Sequence, residues 1–569
     1  MQTHHARLNG AGSSDDPVIG MIRSLADEAR RGIYLYRSFD EEPTFCSYRE
    51  LYRRIAGCME LFRASGIEYG TRVLLPFDTS IDTISSFLAL VGVGAMTFSV
   101  KPWDARGGQE ARSYIEMVCR RYRITHAVRS LNSGPAGLPV DEPPIKEIIV
   151  PSDAVADHAA FASVPPSDVA LIQFSSGSTS LPKGVPVTRE ALDEHLKLLV
   201  AFDGRRPEDV FVSWLPLYHD LGLIMGMLTS LYGRNDLHLI PPFSFIRAPL
   251  GWLNLMSERR ATHSVTAYFA INYCLNHLDQ ADEEDITAAA KNWNFESLRF
   301  FLIGSDPTDY DRTLEFQGRL EPYGFRRGAL LPAYGMAEAP LVVSATRVED
   351  EPWAHTLEDG RKLVSTGGVL PGFEVRITRE DGTPCDEGEL GQIEMRGSTV
   401  TAGYFEEPTI PFYNQDGYFE TGDLAYSIRG ELVIAGRTGD RIKINGQSLF
   451  ASDFEFSVQS LSFIRHGRAV VFQIDQKTIM LAEVPGEGAL TAHEQRAAIR
   501  DAIAKRLGVK LPLEDIRLIA PGQIKKTSSG KLKRRAMAQA FIDGTIRFAK
   551  HEASASGSPA VRVREVSHA

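Results

Sequence analysis

The strongest constraint on this chain is an alternation of two apolar patterns. The segment SYRELYRRIAGCMELFRASG (47–66) repeats its apolar positions with the period of an amphipathic helix, whereas RVLLPF (72–77) and DVALIQF (168–174) are short apolar runs of strand length. Helices alternating with buried strands predict an α/β architecture. Towards the C-terminus the pattern changes. AVVFQID (469–475) and TIMLAEV (478–484) read as paired strands, and the following TAHEQRAAIRDAIAKRLG opens with a Thr491/Glu494 capping box and sets Ile499, Ile503 and Leu507 on one helical face. That describes a small α+β module. The boundary before it falls in GRTGDRIKINGQ (436–447), where glycines and charges interrupt two strand-like runs.

A chain of 569 residues should hold more than one domain, because single cores stop growing well below that length. The net charge of −11 argues against a nucleic-acid partner. Five cysteines, Cys46, Cys58, Cys119, Cys274 and Cys385, are odd in number and form no CxxC pair, so neither a disulfide framework nor a zinc site is expected. The N-terminus lacks the apolar segment of a signal peptide, and the longest apolar stretch (87–100) is too short and too broken to span a bilayer. The expectation is a cytoplasmic, soluble protein without stable membrane insertion. Residues 1–16 and 551–569 are polar, aperiodic and expected to be flexible tails.

Five motifs carry chemistry. SSGSTSLPKG (175–184) follows a buried strand and supplies backbone N–H groups, several hydroxyls and the ammonium of Lys183, the donors a polyphosphate needs. It is not a Walker A loop, because Pro182 stands where that pattern requires glycine. PAYGMAEAP (332–340) joins an aromatic, Tyr334, to a carboxylate, Glu338, a pairing suited to an adenine face and a Mg²⁺- or phosphate-side acid. In YFETGDLAY (418–426), Asp423 could accept from the hydroxyls of a ribose. GRTGDRIKINGQ and PGQIKKTSSGKLKRR (521–535), with Lys531 behind a Thr-Ser-Ser-Gly approach, complete the set. Taken singly, the Ser/Gly loop reads better as a solvated loop, the TGD as a plain turn and the late lysine segment as a basic solvated tail, and a buried tyrosine in a turn explains PAYGMAEAP equally well.

Their order changes the reading. A Ser/Gly/Lys loop, YGxAE, TGD, GRxxD and a late SSGK, spread over roughly residues 30 to 545, resemble the ANL superfamily of adenylate-forming enzymes, which includes acyl-CoA synthetases, adenylation domains and luciferases. Several details resemble the fatty acyl-AMP ligase branch: SGSTS (176–180), WLPLYHDLGLIMGML (214–228), LRFFLIGSDP (298–307), VSTGGVLPGFEVRI (364–377) and Ala337 in YGxAE.

The resemblance implies a large multi-subdomain N-terminal adenylation domain (17–436), a hinge (437–440) and a small mobile α+β C-terminal domain (441–548). It implies ATP and Mg²⁺, and activation of a carboxylic acid to acyl-AMP with release of pyrophosphate. Ser175, Ser176, Gly177, Ser178, Thr179 and Lys183 would hold the phosphates, with Glu338 placing Mg²⁺. Gly304, Ser305, Asp306, Pro307, Ala333, Tyr334, Gly335, Met336 and Ala337 would border the nucleotide, with Tyr334 covering adenine and Asp423 and Arg437 taking the ribose. Lys531 would bridge the carboxylate and the α-phosphate, and His219 would lie beside the acyl carboxylate unless it is a structural histidine. Tyr218, His219, Met225, Tyr268 and Ile271 would line the acyl site, and Gly439 and Asp440 would form the pivot on which the small domain turns to accept a thiol.

The expected acceptor is the phosphopantetheine arm of a separate acyl carrier protein. The alternatives are free CoA, with Lys443 near the thioester-forming face, an aryl or amino acid adenylating enzyme, and a non-catalytic nucleotide or acyl sensor. Two departures matter. The segment that hinders CoA use in the resembling ligases is abbreviated here to ATRVEDEPWAHTLEDGRKL (345–363), and Met225 and TAYFAINYC (266–274) alter the acyl site, which predicts a shortened pocket.

Overall fold

The computed structural model describes residues 16–103, 108–130, 138, 140, 144–174, 183–280, 290–407, 412–444, 447–465, 467–485, 490–527 and 530–549. The expected alternation is present. Ser47 caps the helix Tyr48–Ala64 by accepting from the Glu50 amide, and the strand Arg72–Pro76 and the strand Val169–Phe174 occupy the two apolar runs. These elements build two large sheets. One contains, in spatial order, Lys146–Val150, His126–Ser130, Arg72–Pro76, Met96–Val100, Val169–Phe174 and Gly184–Thr188, parallel throughout except for the last pair. The other runs from Gly368–Val369 to Thr44–Ser47, and its centre is a parallel stack of Leu330–Gly335, Phe300–Gly304, His263–Ala267, Val210–Ser213, Asp236–Leu239 and Gly32–Leu35. Helices such as Ile81–Val93, buried along nearly its whole length, fill the space between the sheets and join them into one core. A four-stranded antiparallel sheet, Phe373–Thr378, Gly391–Gly397, Phe419–Ile428 and Glu431–Arg437, completes the large unit.

The small unit follows. Ala469–Ile474 pairs antiparallel with Lys477–Glu483, which pairs parallel with Ile516–Ile519. The helix Ala492–Leu507 starts at the expected capping box: the Glu494 amide donates to Thr491 Oγ1 at 3.3 Å and the Thr491 amide to Glu494 Oε2 at 2.7 Å. Ile499, Ile503 and Leu507 are buried in a core separate from that of the large unit.

Two local findings refine the expectations. Asp16, placed by its polar neighbours in the first tail, is only 2% exposed: it caps the helix Pro17–Ser24 and pairs with the fully buried Arg189. Two opposite charges out of water must find each other, so the ordered chain reaches one residue further forward than polarity suggested. The apolar segment Leu221–Leu228 winds as a π-helix rather than an α-helix. Its Gly222 is needed there, because a Cβ would lie 2.4 Å from the Pro216 carbonyl oxygen. Residues 551–569 and Met1–Asp15 fall outside the described residues.

Candidate active site

Three neighbouring parallel strands of the second sheet end together. Beyond the carboxyl ends of His263–Ala267, Phe300–Gly304 and Leu330–Gly335 lie Tyr268, the Ser305–Asp306–Pro307 turn and the Met336–Ala337–Glu338 segment. Ligands of α/β sheets bind in this position, where strands stop and loops diverge. Ser305 has φ +74°, a left-handed conformation that L-residues other than Asn and Asp rarely adopt. Gly335 admits no side chain, since a Cβ would stand 1.7 Å from the Leu341 carbonyl oxygen.

The antiparallel sheet supplies the next groups. Asp423 and Arg437 are register partners on adjacent strands, so their side chains emerge on one face. Arg437 Nε donates to Asp423 Oδ1 at 2.9 Å and Tyr334 Oη donates to Oδ2 at 2.8 Å. A carboxylate can accept about four hydrogen bonds, so each oxygen retains capacity for a ribose hydroxyl. Burial and the Asp423 charge hold the Tyr334 phenol well above its ordinary pKa, which keeps it a donor.

Lys531 arrives from the small unit. The Thr527 amide donates to the Lys531 carbonyl at 2.7 Å and the Lys531 amide to Thr527 Oγ1 at 3.0 Å. Gly530, at φ +89°, lies against the Phe269 ring of the large unit. Lys531, Tyr268, Ser305, Asp306, Pro307, Ala333, Tyr334, Gly335, Asp423, Arg437, Gly439 and Asp440 all line one cavity of about 2500 Å³ between the units. Burial raises the pKa of Asp306, and the nearby Lys531 charge opposes that shift.

Lys183 stands at the foot of a hairpin whose strands pair Phe174 with Gly184; Ser175, Ser176, Gly177, Ser178 and Thr179 lie outside the described residues. Lys183 Nζ sits 4.3 Å from the centroid of the Tyr404 ring, and Tyr404 Oη donates to Glu338 Oε1 at 3.0 Å. One aromatic thus joins the expected phosphate cation to the expected metal carboxylate. Burial raises the pKa of Glu338, with Asp220 adding to the shift and the Tyr404 bond opposing it. Among the described residues no group of three or more acidic, histidine or cysteine side chains gathers to hold a metal ion. A single carboxylate accords with Mg²⁺, which keeps waters and takes most other ligands from phosphate.

The remaining acyl-site residues are arranged differently. Tyr218 and His219 are half-buried with ring centroids 4.8 Å apart, and the His219 amide donates to the Pro216 carbonyl at 3.2 Å. Met225 and Ile271 are fully buried in the main core. Neither pair is among the described lining of the large cavity, whereas Tyr268 is, with its ring 6.1 Å from that of Phe456 of the small unit. Gly304, Met336 and Ala337 adjoin the cavity in sequence without lining it. Sequence reasoning missed Tyr404, 66 residues from Glu338, and Arg534, which bonds Asp440; no local pattern marks either.

The two-unit α/β fold, with a lysine of the small unit lining the same cavity as a Tyr–Asp–Arg cluster of the large one, is the architecture of adenylate-forming enzymes. The chain belongs to the AMP-binding enzyme family, whose model matches residues 27–405. Residues 439–551 match a second model, described as Disco-interacting protein 2-like, AMP domain. Among curated relatives, a Caulobacter vibrioides protein named "Putative acyl-CoA synthetase" is 29% identical, with 94% of this chain and 96% of that protein covered. The medium-chain-fatty-acid–[acyl-carrier-protein] ligase JamA of Moorena producens is 26% identical, with 92% and 94% covered. A solved structure from a study of fatty acyl-adenylate ligases of E. coli and L. pneumophila shares the fold at a TM-score of 0.81 and 24% identity, over 95% of this chain and 98% of that one. No helix among the described residues is long and apolar enough to cross a membrane.

Proposed function

We propose that the protein activates a carboxylic acid with ATP, forming an acyl adenylate and pyrophosphate, and passes the acyl group to the phosphopantetheine thiol of a separate carrier protein in the cytoplasm. The observation that carries this reading is the presence of Lys531 in the cavity that also holds Tyr334, Asp423 and Arg437. A carboxylate is a poor electrophile, since its leaving group would be oxide. Attack on the α-phosphorus replaces that leaving group with AMP, and the chain's work is to position the two anions and neutralise the charge that builds between them.

In this reading Lys531 donates to the oxygens of carboxylate and α-phosphate, Asp423 takes the ribose hydroxyls and Tyr334 orients Asp423 while bordering the base. Lys183 and the 175–179 loop hold the β- and γ-phosphates. Mg²⁺ on Glu338 would offset phosphate charge. Residues 17–436 serve as the adenylation domain, 437–440 as the hinge and 441–548 as the turning domain. The name of JamA supports both a fatty acid and a carrier protein as reactants.

The test is carboxylate-dependent ATP–pyrophosphate exchange across a panel of acids, followed by thioester formation with CoA and with carrier protein. Exchange with an aliphatic acid and a product on the carrier support the reading. Product on CoA alone moves the protein to the acyl-CoA synthetases, and no exchange with any acid rejects adenylation.

A further inference from the structure

One cation ties the hinge to the loop that carries Lys531. Arg534, with 18% of its side chain exposed, donates from Nε to Glu455 Oε1 at 2.9 Å, from Nη2 to Glu455 Oε2 at 2.6 Å and from Nη1 to Asp440 Oδ2 at 2.6 Å. It stands three residues after Lys531, at the start of the helix Arg534–Ile542. Asp440 closes the 3₁₀ turn Thr438–Asp440, and Glu455 lies in the helix Ala451–Ser457 of the small unit. The Glu455 carboxylate is buried and also accepts the Val471 amide at 3.3 Å, so it is fixed from both sides. Burial drives its pKa upward and the Arg534 charge opposes that, which marks the pair as interdependent.

The geometry of a guanidinium makes the linkage directional. Its fork is planar and rigid, so two bonds to Glu455 leave the third N–H edge pointing one way, and Asp440 occupies that direction. A backbone turn at Gly439–Asp440 would carry the Asp440 carboxylate out of that line and open, of the three bonds made by Arg534, this one alone. The two bonds to Glu455 lie wholly within the small unit and survive the motion. The hinge is otherwise lightly packed on this side: a Cβ at Gly439 would meet Arg535 Nη2 only at 3.5 Å.

We propose that Arg534 is a positioning residue that couples the hinge to the placement of Lys531, with the Asp440–Arg534 bond closed in the conformation that forms the adenylate and open in the one that transfers the acyl group. The proposal rests on the function proposed above. A bond present in one state and absent in the other biases their equilibrium by its own free energy, and its removal favours the second state.

The test uses the full-length protein, octanoate with ATP for the first half-reaction, and octanoyl-AMP with pantetheine for the second. Asp440→Asn keeps the shape of the side chain and the Glu455 bonds while weakening the charge-assisted one. Pyrophosphate exchange should fall about fivefold to tenfold in kcat with the KM for ATP unchanged, the scale of one charge-assisted hydrogen bond. Thioester formation should be unchanged or faster, and amide hydrogen exchange across 438–441 should speed up. Arg534→Lys, which cannot span both carboxylates, should reproduce the split, and the double variant should add nothing to it.

Equal losses in both half-reactions, unchanged hydrogen exchange at the hinge, or additive single variants would each overturn the coupling. If the wild-type protein exchanges pyrophosphate with no acid, the proposed function fails, and hydrogen exchange in Asp440→Asn still decides whether the Asp440–Arg534 bond restrains the hinge.

Discussion

Each unit is held together internally by apolar burial, whereas the boundary between them mixes ion pairs with a small apolar patch in which Phe450 of the small unit packs with Leu424 and Ala435 of the large one. Residues from Val18 to Leu370 contribute to a single continuous apolar core, and residues from Ile442 to Ala549 form another. Between the units the described contacts include Arg506 Nη2 to Asp309 Oδ2 at 2.7 Å, Arg361 Nη1 to Asp453 Oδ2 at 2.5 Å and the Tyr268–Phe456 ring pair. Charge follows the same division. Residues 441–548 carry 18 Lys and Arg against 10 Asp and Glu, whereas the whole chain carries 62 against 73. A basic small unit therefore rests on an acidic large one. Apolar burial makes each unit rigid, and the ion pairs of the boundary can exchange for water at little cost, which suits a part that must turn.

The contrast is broken most severely by removing the one cation that the small unit contributes to the proposed chemistry. Lys531→Ala should lower pyrophosphate exchange by roughly several hundredfold, equivalent to about 3–4 kcal/mol in the transition state, with the melting temperature unchanged. Near wild-type exchange would remove Lys531 from the mechanism. The converse experiment strikes the large unit's core: Met225→Gly empties a fully buried position and should cost about 2–5 kcal/mol in chemical denaturation. If Met225 also limits the acyl site, the same variant should accept acids a few carbons longer; superimposable chain-length profiles would exclude it as the gate.

A smaller effect depends on pH. Burial holds the Glu338 carboxyl above its ordinary value of 4.5, ahead of the opposing Tyr404 bond. Mg²⁺ requires the charged form, so Mg²⁺–ATP affinity should fall as the pH drops through a window above 4.5, and binding should release protons. For the metal-free chain the sign reverses, because a raised folded pKa stabilises the protonated state and that contribution is lost as the pH rises through the window. Calorimetry in two buffers measures the proton release, and Glu338→Gln should abolish it. The smallest effect concerns the boundary itself. Arg506→Gln should weaken the closed arrangement by less than about 1 kcal/mol, seen by X-ray scattering as expansion at lower salt than the wild type needs. Dimensions independent of salt in both proteins would refute an ionic boundary.

Elements with a local cause were legible in the sequence. The amphipathic helix within 47–66, the 72–76 strand and the Thr491/Glu494 box each depend on neighbours within a few residues, and each formed where those neighbours dictate. That Tyr334, Asp423 and Arg437 meet at one place was implied only through the resemblance, and their hydrogen bonds to one another were not anticipated, since 89 residues separate Tyr334 from Asp423. The π-helix was not legible. LGLIMGML is apolar throughout, so it carries no polar positions from which a turn of 3.6 residues could be told from a wider one. Tyr404 and Arg534 escaped for a related reason: each acts through a partner brought near only by the folded sheets and helices.

The pairing of Asp16 with Arg189 bears on how the protein can be handled as a material. Arg189 also donates to the Val91 carbonyl, so the first helix, the helix Ile81–Val93 and the start of the helix Arg189–Asp203 meet at one sealed charge. A tag or fusion partner joined ahead of Asp16 leaves that junction intact. A cleavage site cut between Asp16 and Pro17 strands a guanidinium in the interior, and the amino-terminal limit for trimming this protein is therefore set by electrostatics rather than by where its visible helices begin.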